Sequence, residues 1–313
     1  MLMKSHKNDS LVKKKNFLSY VKQNPAFYVM LSPVILYFFI FCYIPMAGII
    51  IAFMEYKPLL PFVENKWVGF LHFDVFINSP NFPLLMRNTI LISLLRFIFG
   101  FPAPIILALL FNEVRNQFFK RVTQTISYMP YFLSWVILAG LITSFLDLDG
   151  PVNALRSVIG LEPKLFLYDQ QSFWPMLVFT GIWKNVGFGT ILYLAALAGA
   201  EPQLYEAAVI DGANRWQQTR YISLNALRPT IIILLIMSAG SILDAGFEQI
   251  LLLQNDMVYS VSEVIDTFVY RMGFGSARYS FATAVGLFKS VVALILVVGS
   301  DQIAKHLSED SLL

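Results

Sequence analysis

The sequence is poor in charged residues, which make up only 14% of its 313 positions. A water-soluble domain carries about a quarter charged residues, whereas 57% of this chain is hydrophobic and its mean hydropathy is +0.64. The composition therefore argues against an ordinary soluble enzyme and indicates a polytopic membrane protein. The first apolar run, 27–53, is longer than the roughly 7–15-residue core of a signal peptide, so we expect a membrane span there rather than a cleaved leader.

Cysteine and histidine are also scarce. Cys42 is the lone cysteine, which excludes a disulfide within the chain. His6, His72 and His306 are scattered, so we expect no metal site. The chain has no G-x-x-x-x-G-K-[ST] phosphate loop, no stretch long enough for a nucleotide domain and no catalytic groups paired at a suitable spacing. We therefore expect no catalytic residue and no bound cofactor, and nothing indicates a nucleic-acid partner.

Six apolar segments are each long enough to cross a bilayer, which takes about 20 residues. They are 27–53, 88–111, 122–146, 173–199, 229–247 and 281–303. We expect an all-α membrane domain over 27–303, a basic segment over 1–26 and a short tail over 304–313. For 1–26, an interfacial helix and a disordered tail remain open alternatives.

Basic residues predict the orientation of these spans. With the N-terminus inside, the inner segments hold 13 Lys and Arg and the outer segments hold 7, while 11 of the 20 carboxylates are outside. Cytoplasmic loops carry the excess of Lys and Arg. We therefore expect both termini and the polar segment 200–228 in the cytoplasm.

The polar segment 200–228 lies between the fourth and fifth spans. Pro202 suits the first turn of a helix. Asp211-Gly212 indicates a turn in which glycine takes a positive φ, and Asn214 suits the N-cap of a second helix. The segment therefore predicts a helix, a turn and a second helix.

The same segment carries a spaced motif: Glu206-Ala207-Ala208, three residues, Gly212, nine residues, Ile222, one residue, Leu224. This motif resembles the EAA loop of the membrane-spanning subunits of bacterial ABC importers, whose pattern continues with a proline where this chain has Asn225. The alternative is a loop that merely connects two spans. A mere connector has no reason to hold six positions at this spacing.

Other runs resemble the carbohydrate-type permeases of that family, in the branch that handles oligo- and polysaccharides such as alginate. These runs are Asn88-Thr89, Phe101-Pro102-Ala103-Pro104, Ser127-Tyr128-Met129-Pro130-Tyr131, Tyr193-Leu194-Ala195-Ala196-Leu197 and Ser262-Glu263-Val264-Ile265-Asp266-Thr267. The resemblance implies the type I, maltose-permease-like importer fold with six transmembrane helices.

The resemblance also implies a set of partners in and around the bacterial cytoplasmic membrane. They are a second, different permease chain, two cytoplasmic ATPase subunits that use ATP and Mg²⁺, an extracellular lipoprotein-type solute-binding protein and a carbohydrate substrate. The loop would dock in a cleft of the ATPase through Glu206, Ala207, Ala208, Asp211, Gly212 and Trp216.

Polar side chains inside the spans are costly in lipid and are therefore candidates for a substrate pathway. We expect the fifth helix to present one polar side and the fourth helix another. The candidates are Asn185, Phe188, Tyr193, Ser241, Asp244 and Glu248, with Ser238 on the same predicted face. Amide, hydroxyl, carboxylate and aromatic groups suit a sugar, which has polar edges and apolar faces.

The alternative for these residues is contact between helices, with Lys184 paired to Asp244 or Glu248. For Arg96 and Lys289 we expect a structural or interfacial role.

Two other functions remain open. One is an ABC permease for a different solute, such as a peptide or phosphate. The other is an ion-coupled secondary transporter in which Asp244 and Lys184 relay protons. The spaced motif and the absence of an internal repeat favour an ABC importer over the secondary transporter, whereas a permease for another solute would differ only in its lining residues.

The orientation is testable with accessible tags. We expect tags at positions 5 and 215 to react only from the cytoplasm and a tag near Asn153 only from outside, because the basic residues favour that arrangement. Labelling of intact cells and of inverted vesicles measures this. External labelling at position 215 would exclude the importer hypothesis.

Overall fold

The computed structural model describes residues 25–307. Most of the predicted basic segment 1–26 and the end of the tail 304–313 therefore lie outside the described residues. The chain divides into two units, Met1–Ile50 and Ile51–Leu313. The described part of the first unit is helical, with α1 Pro25–Phe38, a π-helical turn Phe39–Tyr43, α2 Ile44–Met46 and the start of a 3-10 helix Ala47–Phe53.

The second unit begins with a small antiparallel hairpin in which Met54 pairs with Trp67 and Glu55 with Lys66. Helices follow in chain order: α3 Leu71–Ile77, α4 Phe82–Gly100, α5 Pro102–Glu113, α6 Gln117–Tyr128, α7 Trp135–Leu146, α8 Pro151–Val158, α9 Gln170–Ala198, α10 Pro202–Ile210, α11 Arg215–Gln218, α12 Leu224–Ala239, α13 Phe247–Leu253, α14 Tyr259–Ser262, α15 Ile265–Tyr270 and α16 Tyr279–Leu307.

Six helical stretches of the described residues are long and apolar enough to cross a membrane. They are Pro25–Phe53, Phe82–Glu113, Trp135–Val158, Gln170–Ala198, Arg215–Ser238 and Tyr279–Gly299. The predicted all-α architecture with six spans is therefore confirmed.

The predicted third span, 122–146, is wrong in its first half. After α6 the chain forms a 3-10 turn, Met129–Phe132, and α7 begins only at Trp135. The Ser134 hydroxyl oxygen accepts a hydrogen bond from the backbone N–H of Ile137 at 3.3 Å and so caps α7. The prediction treated the two helices as one span because it was based on hydropathy. Hydropathy does not detect Pro130, which lacks a backbone N–H donor, or the capping Ser134.

The predicted fifth span, 229–247, is also displaced. The helix ends at Ala239, and Gly240 occupies its C-cap. Beyond it the chain turns until α13 starts at Phe247. The prediction that Ser238, Ser241, Asp244 and Glu248 share a face of one helix is therefore wrong.

Helix α9 lies at the centre of the second unit and packs on α4, α5, α6 and α12. Its buried side chains Phe173 and Leu177 belong to the largest hydrophobic cluster, together with Leu138 of α7 and Ile250 of α13. Such a helix, buried on many sides, is typical of the core of a bundle.

Asp169 caps the start of α9. Its carboxylate accepts a hydrogen bond from Lys164 Nζ at 2.7 Å and others from the hydroxyl and N–H of Ser172. These donors, Lys164 first, lower the pKa of Asp169 to about 2. The stability that this cap contributes is present above the ordinary pKa and is lost as the pH falls toward 2.

Two of the runs that resemble carbohydrate-type permeases, Asn88-Thr89 and 262–267, contact each other. Asn88 on α4 is buried and donates to the carbonyl of Glu263 at 3.0 Å, while the Thr89 hydroxyl oxygen accepts from the N–H of Ile265 at 3.0 Å. In the next helix, Asp266 pairs with Lys289 of α16 at 2.6 Å. Lys289 therefore has the structural role that we expected.

Gly187 lets α9 approach α6 closely. A Cβ atom at this position would overlap the carbonyl oxygen of Ser127. The overlapping group is backbone rather than the end of a flexible side chain, so α6 would have to move. Glycine at position 187 is therefore a packing requirement.

We expect Gly187→Ala to lower the unfolding free energy of the purified chain by about 1–3 kcal/mol, because overpacking forces a backbone shift. Thermal unfolding in detergent measures this. Gly286→Ala on α16 is the matched control, since nothing lies within 4 Å of its added Cβ atom. Equal unfolding temperatures for the two variants would refute the packing requirement.

Candidate functional site

The turn of the polar loop depends on Gly212. Helix α10 ends at Ile210, and Gly212 adopts φ +79°. The backbone N–H of Ala213 then donates to the carbonyl of Ala208 at 2.8 Å and pairs one of the last carbonyls of the helix. The predicted positive φ at Gly212 is confirmed, and nothing lies within 4 Å of a Cβ atom added there.

A capping box starts the second helix of the loop. The Asn214 side chain accepts from the N–H of Gln217 at 2.9 Å, and the Gln217 side chain accepts from the N–H of Asn214 at 2.7 Å. The predicted N-cap is confirmed. Helix α11 continues through a π-helical turn, Thr219–Ser223, directly into α12. The second helix of the loop is therefore the start of the fifth span.

The polar loop between the fourth and fifth spans also exposes large apolar side chains. Ile210 is 86% exposed and Trp216 is 73% exposed. Beside them Glu206, Ala207, Asp211 and Gly212 are exposed and Ala208 is half-buried. All six residues predicted for coupling thus lie within one short helix, its turn and the next helix, accessible to another protein.

A groove of about 510 Å³ lies beside α10. Glu206 and Ile210 line it from one side, and Arg215 lines it together with Glu113 at the end of α5. Arg215 and Glu113 form an ion pair at 3.5 Å, which links the loop to the second span.

The sequence did not single out Tyr205, although it fixes the loop. Its hydroxyl group forms a hydrogen bond of 3.0 Å with the hydroxyl group of Ser223 in the π-helical turn. The position of this tyrosine, directly before the Glu-Ala-Ala run, was the feature of the sequence that could have indicated its role. The hydrogen bond holds α10 against the start of the fifth span.

Lys184 in α9 is buried, and the ion pair with Asp244 or Glu248, which was the alternative to a substrate pathway, does not form. Its ammonium group donates instead to the carbonyls of Tyr131 (3.3 Å) and Leu133, at the break between α6 and α7. The charge of Glu248 acts on it from a greater distance. Lys184 therefore completes the hydrogen bonding of a broken span.

The three pathway candidates on α9 have different surroundings. Asn185 is exposed and its amide donates to the carbonyl of Gly181 at 2.8 Å. The Phe188 ring stacks on Tyr131 with 3.9 Å between ring centroids and is partly exposed. Tyr193 is only 3% exposed and packs on Ala108 and Leu227. The structure thus leaves Asn185 and Phe188 accessible and encloses Tyr193 in the core.

Ser241, Asp244 and Glu248 are all exposed, although they do not share a helix. The Asp244 carboxylate accepts from the N–H of Gly246 at 2.8 Å and orders the turn before α13. Gly246 itself adopts φ +84°. The three polar groups therefore lie along a turn and the first turn of the following short helix.

Arg96 and Gln249 form a polar network that the sequence did not predict. Gln249 is fully buried and donates to the carbonyl of Leu177 at 2.9 Å and to the hydroxyl of Thr180 at 2.8 Å. Its side-chain oxygen accepts from Arg96 Nη1 at 2.8 Å. The polar Gln249 inside the apolar run of α13 was the available signal. The network joins α4, α9 and α13.

Comparison with known proteins gives consistent results. Residues 100–309 match the family described as "Binding-protein-dependent transport system inner membrane component". Protein LplB of Bacillus subtilis (strain 168) is 46% identical over 298 residues, which cover 95% of this chain and 94% of LplB. The polygalacturonan/rhamnogalacturonan transport system permease protein YteP of the same strain is 42% identical, with coverage of 96% and 94%.

A solved structure is also similar along nearly its whole length. It is a chain of a bacterial alginate ABC transporter in complex with an alginate pentasaccharide-bound periplasmic protein, with a TM-score of 0.86, 40% identity and coverage of 95% of this chain and 99% of that chain. The fold is therefore that of a type I ABC importer permease. Since the family match covers more than half of a chain that is 46% identical to LplB, this multi-pass membrane protein belongs to the binding-protein-dependent transport system inner membrane components.

Proposed function

We propose that the chain is the membrane-spanning permease subunit of a binding-protein-dependent ABC importer for a carbohydrate of more than one sugar unit. It forms half of the translocation pathway, and a second, different permease chain forms the other half. The observation that carries this proposal is the exposed, capped loop around Gly212, whose second helix is continuous with the fifth span. The glycan names of YteP and of the alginate transporter support the substrate class.

The loop couples this chain to a separate cytoplasmic ATPase, which uses ATP and Mg²⁺. Exposed Ile210 and Trp216 offer apolar area that a partner surface would bury. Ala207 and Gly212 keep the centre of the loop small, so that it can enter a cleft. Because α11 continues into α12, a displacement of the loop moves the fifth span directly. The chain itself is non-catalytic.

The sugar contacts the polar surfaces of the fourth span and of the turn before α13. Asn185 can donate to or accept from a hydroxyl group, and Asp244 and Glu248 can accept from two hydroxyl groups each. The exposed part of Phe188 can cover the apolar face of a pyranose ring. Tyr193 takes part only if the core around it opens.

The complete importer lies in the bacterial cytoplasmic membrane. It contains two ATPase subunits on the inside, where both termini of this chain lie, and receives the glycan from an extracellular lipoprotein-type binding protein. Polar side chains in the spans, such as Asn185, must face protein or water rather than lipid. The second permease chain meets that requirement and completes the pathway.

The transport function is testable by reconstitution of the full complex in liposomes with a panel of oligosaccharides. We expect a subset of glycans, delivered by the binding protein, to stimulate ATP turnover and to be taken up. Uptake that persists without ATP but stops when a proton gradient is collapsed would establish the ion-coupled carrier instead. Stimulation by a peptide or by phosphate alone would exclude the carbohydrate assignment.

The coupling role is testable at Gly212. We expect Gly212→Val to insert and assemble but to lower glycan-stimulated ATP turnover about fivefold or more, because strain of about 1–3 kcal/mol at a positive φ shifts a local equilibrium by that factor. ATP turnover of the reconstituted complex measures this.

Gly160→Val is the matched control for that variant. Gly160 has φ +77° and nothing within 4 Å of its added Cβ atom, as at Gly212, but it follows α8 in the predicted outer loop. We expect this control to retain the ATPase subunits and its stimulated turnover. Unchanged turnover in Gly212→Val would argue against docking by the loop.

A further inference from the structure

Neutral groups alone hold the guanidinium group of Arg96 in the second span. Nη1 donates to the carbonyl of Ala245 at 3.0 Å and to the side-chain oxygen of Gln249 at 2.8 Å. Gly246, at φ +84°, makes room for it, since a Cβ atom there would overlap Nη1. The guanidinium group is therefore fixed in position by groups that do not neutralise its charge.

Two other cations of the described residues are neutralised by carboxylates instead. Lys289 pairs with Asp266 at 2.6 Å and Arg271 pairs with Glu263 at 2.5 Å. Arg96 has no carboxylate within 4.0 Å among residues 25–307, although the charge of Asp244 attracts it from further away. A charged side chain within a span is costly unless it is paired or serves a function.

A pocket of about 210 Å³ adjoins this guanidinium group. Arg96, Gly181 and Asn185 line it, together with Gly100 and Pro104. The volume equals that of several water molecules at about 30 Å³ each, which admits a carboxyl group and neighbouring ring atoms. Asn185 is exposed at the pocket, so the opening must face protein or water rather than lipid.

Two residues that line the pocket, Arg96 and Asn185, keep free hydrogen-bonding capacity. Nη2 and Nε of Arg96 donate to no described residue, and Nη2 faces the Cα side of Gly181, where an added Cβ atom would lie 3.8 Å away. The side-chain oxygen of Asn185 accepts from no described residue, since only its amide nitrogen is used. The wall of the pocket thus contains a fixed guanidinium group with two unused donor atoms and an amide group with an unused acceptor atom.

We propose that this pocket binds the carboxylate of an acidic sugar unit, a uronic acid, so that the importer selects negatively charged glycans. This inference rests on the proposed carbohydrate function. A guanidinium group binds a carboxylate through two parallel hydrogen bonds, and Asn185 accepts from a ring hydroxyl group. A neutral sugar would leave the charge of Arg96 without a partner.

The test compares trigalacturonic acid with its methyl ester, which keeps the ring structure but removes the charge. Uptake of each is measured in liposomes that contain the complete importer and its binding protein. We expect Arg96→Gln to lower uptake of the acid about tenfold or more, because charge-assisted hydrogen bonds are lost. Uptake of the ester should fall much less, and Arg96→Lys should retain part of the preference for the acid.

Arg87→Gln is the matched control. Arg87 lies on the same helix and donates to the carbonyl of Ser260 at 2.6 Å, also without a carboxylate partner among the described residues. We expect this variant to take up the acid as the unmodified importer does. The binding protein is common to all variants, so a change in the ratio of acid to ester belongs to this chain.

Gly181→Ala keeps the proposal testable if Arg96→Gln does not assemble. Its Cβ atom would lie at ordinary contact distances, 3.6 Å from the Gln249 oxygen and 3.8 Å from Arg96 Nη2, so the helix tolerates it while the methyl group narrows the pocket. We expect it to lower acid uptake several-fold. If neither the unmodified importer nor any variant takes up the ester, the test is the uptake of the acid alone. We then expect Gly181→Ala to take up less acid than Arg87→Gln.

Two outcomes would overturn the inference. One is normal acid uptake in both Arg96→Gln and Gly181→Ala, or an equal loss of acid and ester in both. The other is an unmodified importer that takes up neutral glycans but not the acid, which leaves the carbohydrate function intact. An importer that takes up no carbohydrate at all would instead refute the proposed function.

Discussion

Carbonyl groups at the break between α6 and α7 need hydrogen-bond donors, and the ammonium group of Lys184 supplies them. An unpaired backbone group in hydrocarbon costs several kcal/mol, so a span can be interrupted only where another element brings a donor. Because Lys184 belongs to α9, the broken third span is tied to the central fourth span. The Gln249 network ties the segment after the fifth span to α9 by the same means. Paired polar groups thus fix where each irregular segment meets the bundle.

The features that could be predicted from the sequence depend on short-range chemistry. A glycine turn at Gly212 and a cap at Asn214 were predicted because each is set by residues within one turn of helix. Six spans were predicted because apolar length is a property of the segment itself. Pro130 and Gly240 are also local signals that a helix ends. Hydropathy is an average over many residues and does not detect them, so the break in the third span and the early end of the fifth span were not predicted.

The features that could not be predicted depend on partners distant in the chain. The alternative role of Lys184 named only carboxylate partners, because a sequence shows side chains but does not show which main-chain carbonyls lack a donor. Gln249 binds groups on α9 that lie 69 and 72 positions earlier, and no spacing rule connects them. The unused donors Nε and Nη2 of Arg96 could not be predicted either, since the folded structure determines which acceptors lie near them.

The π-helical turn Thr219–Ser223 has a consequence for the evolution of the fifth span. Such a turn holds one residue more than the α-helix would, and each added residue rotates a helix by about 100°. The extra residue thus rotates the side chains of the loop helix by about 100° about the helix axis relative to those of the membrane helix. A chain that lost one residue here could revert to a plain α-helix with both faces in their places, whereas a deletion elsewhere in the helix would rotate one face away from its contacts.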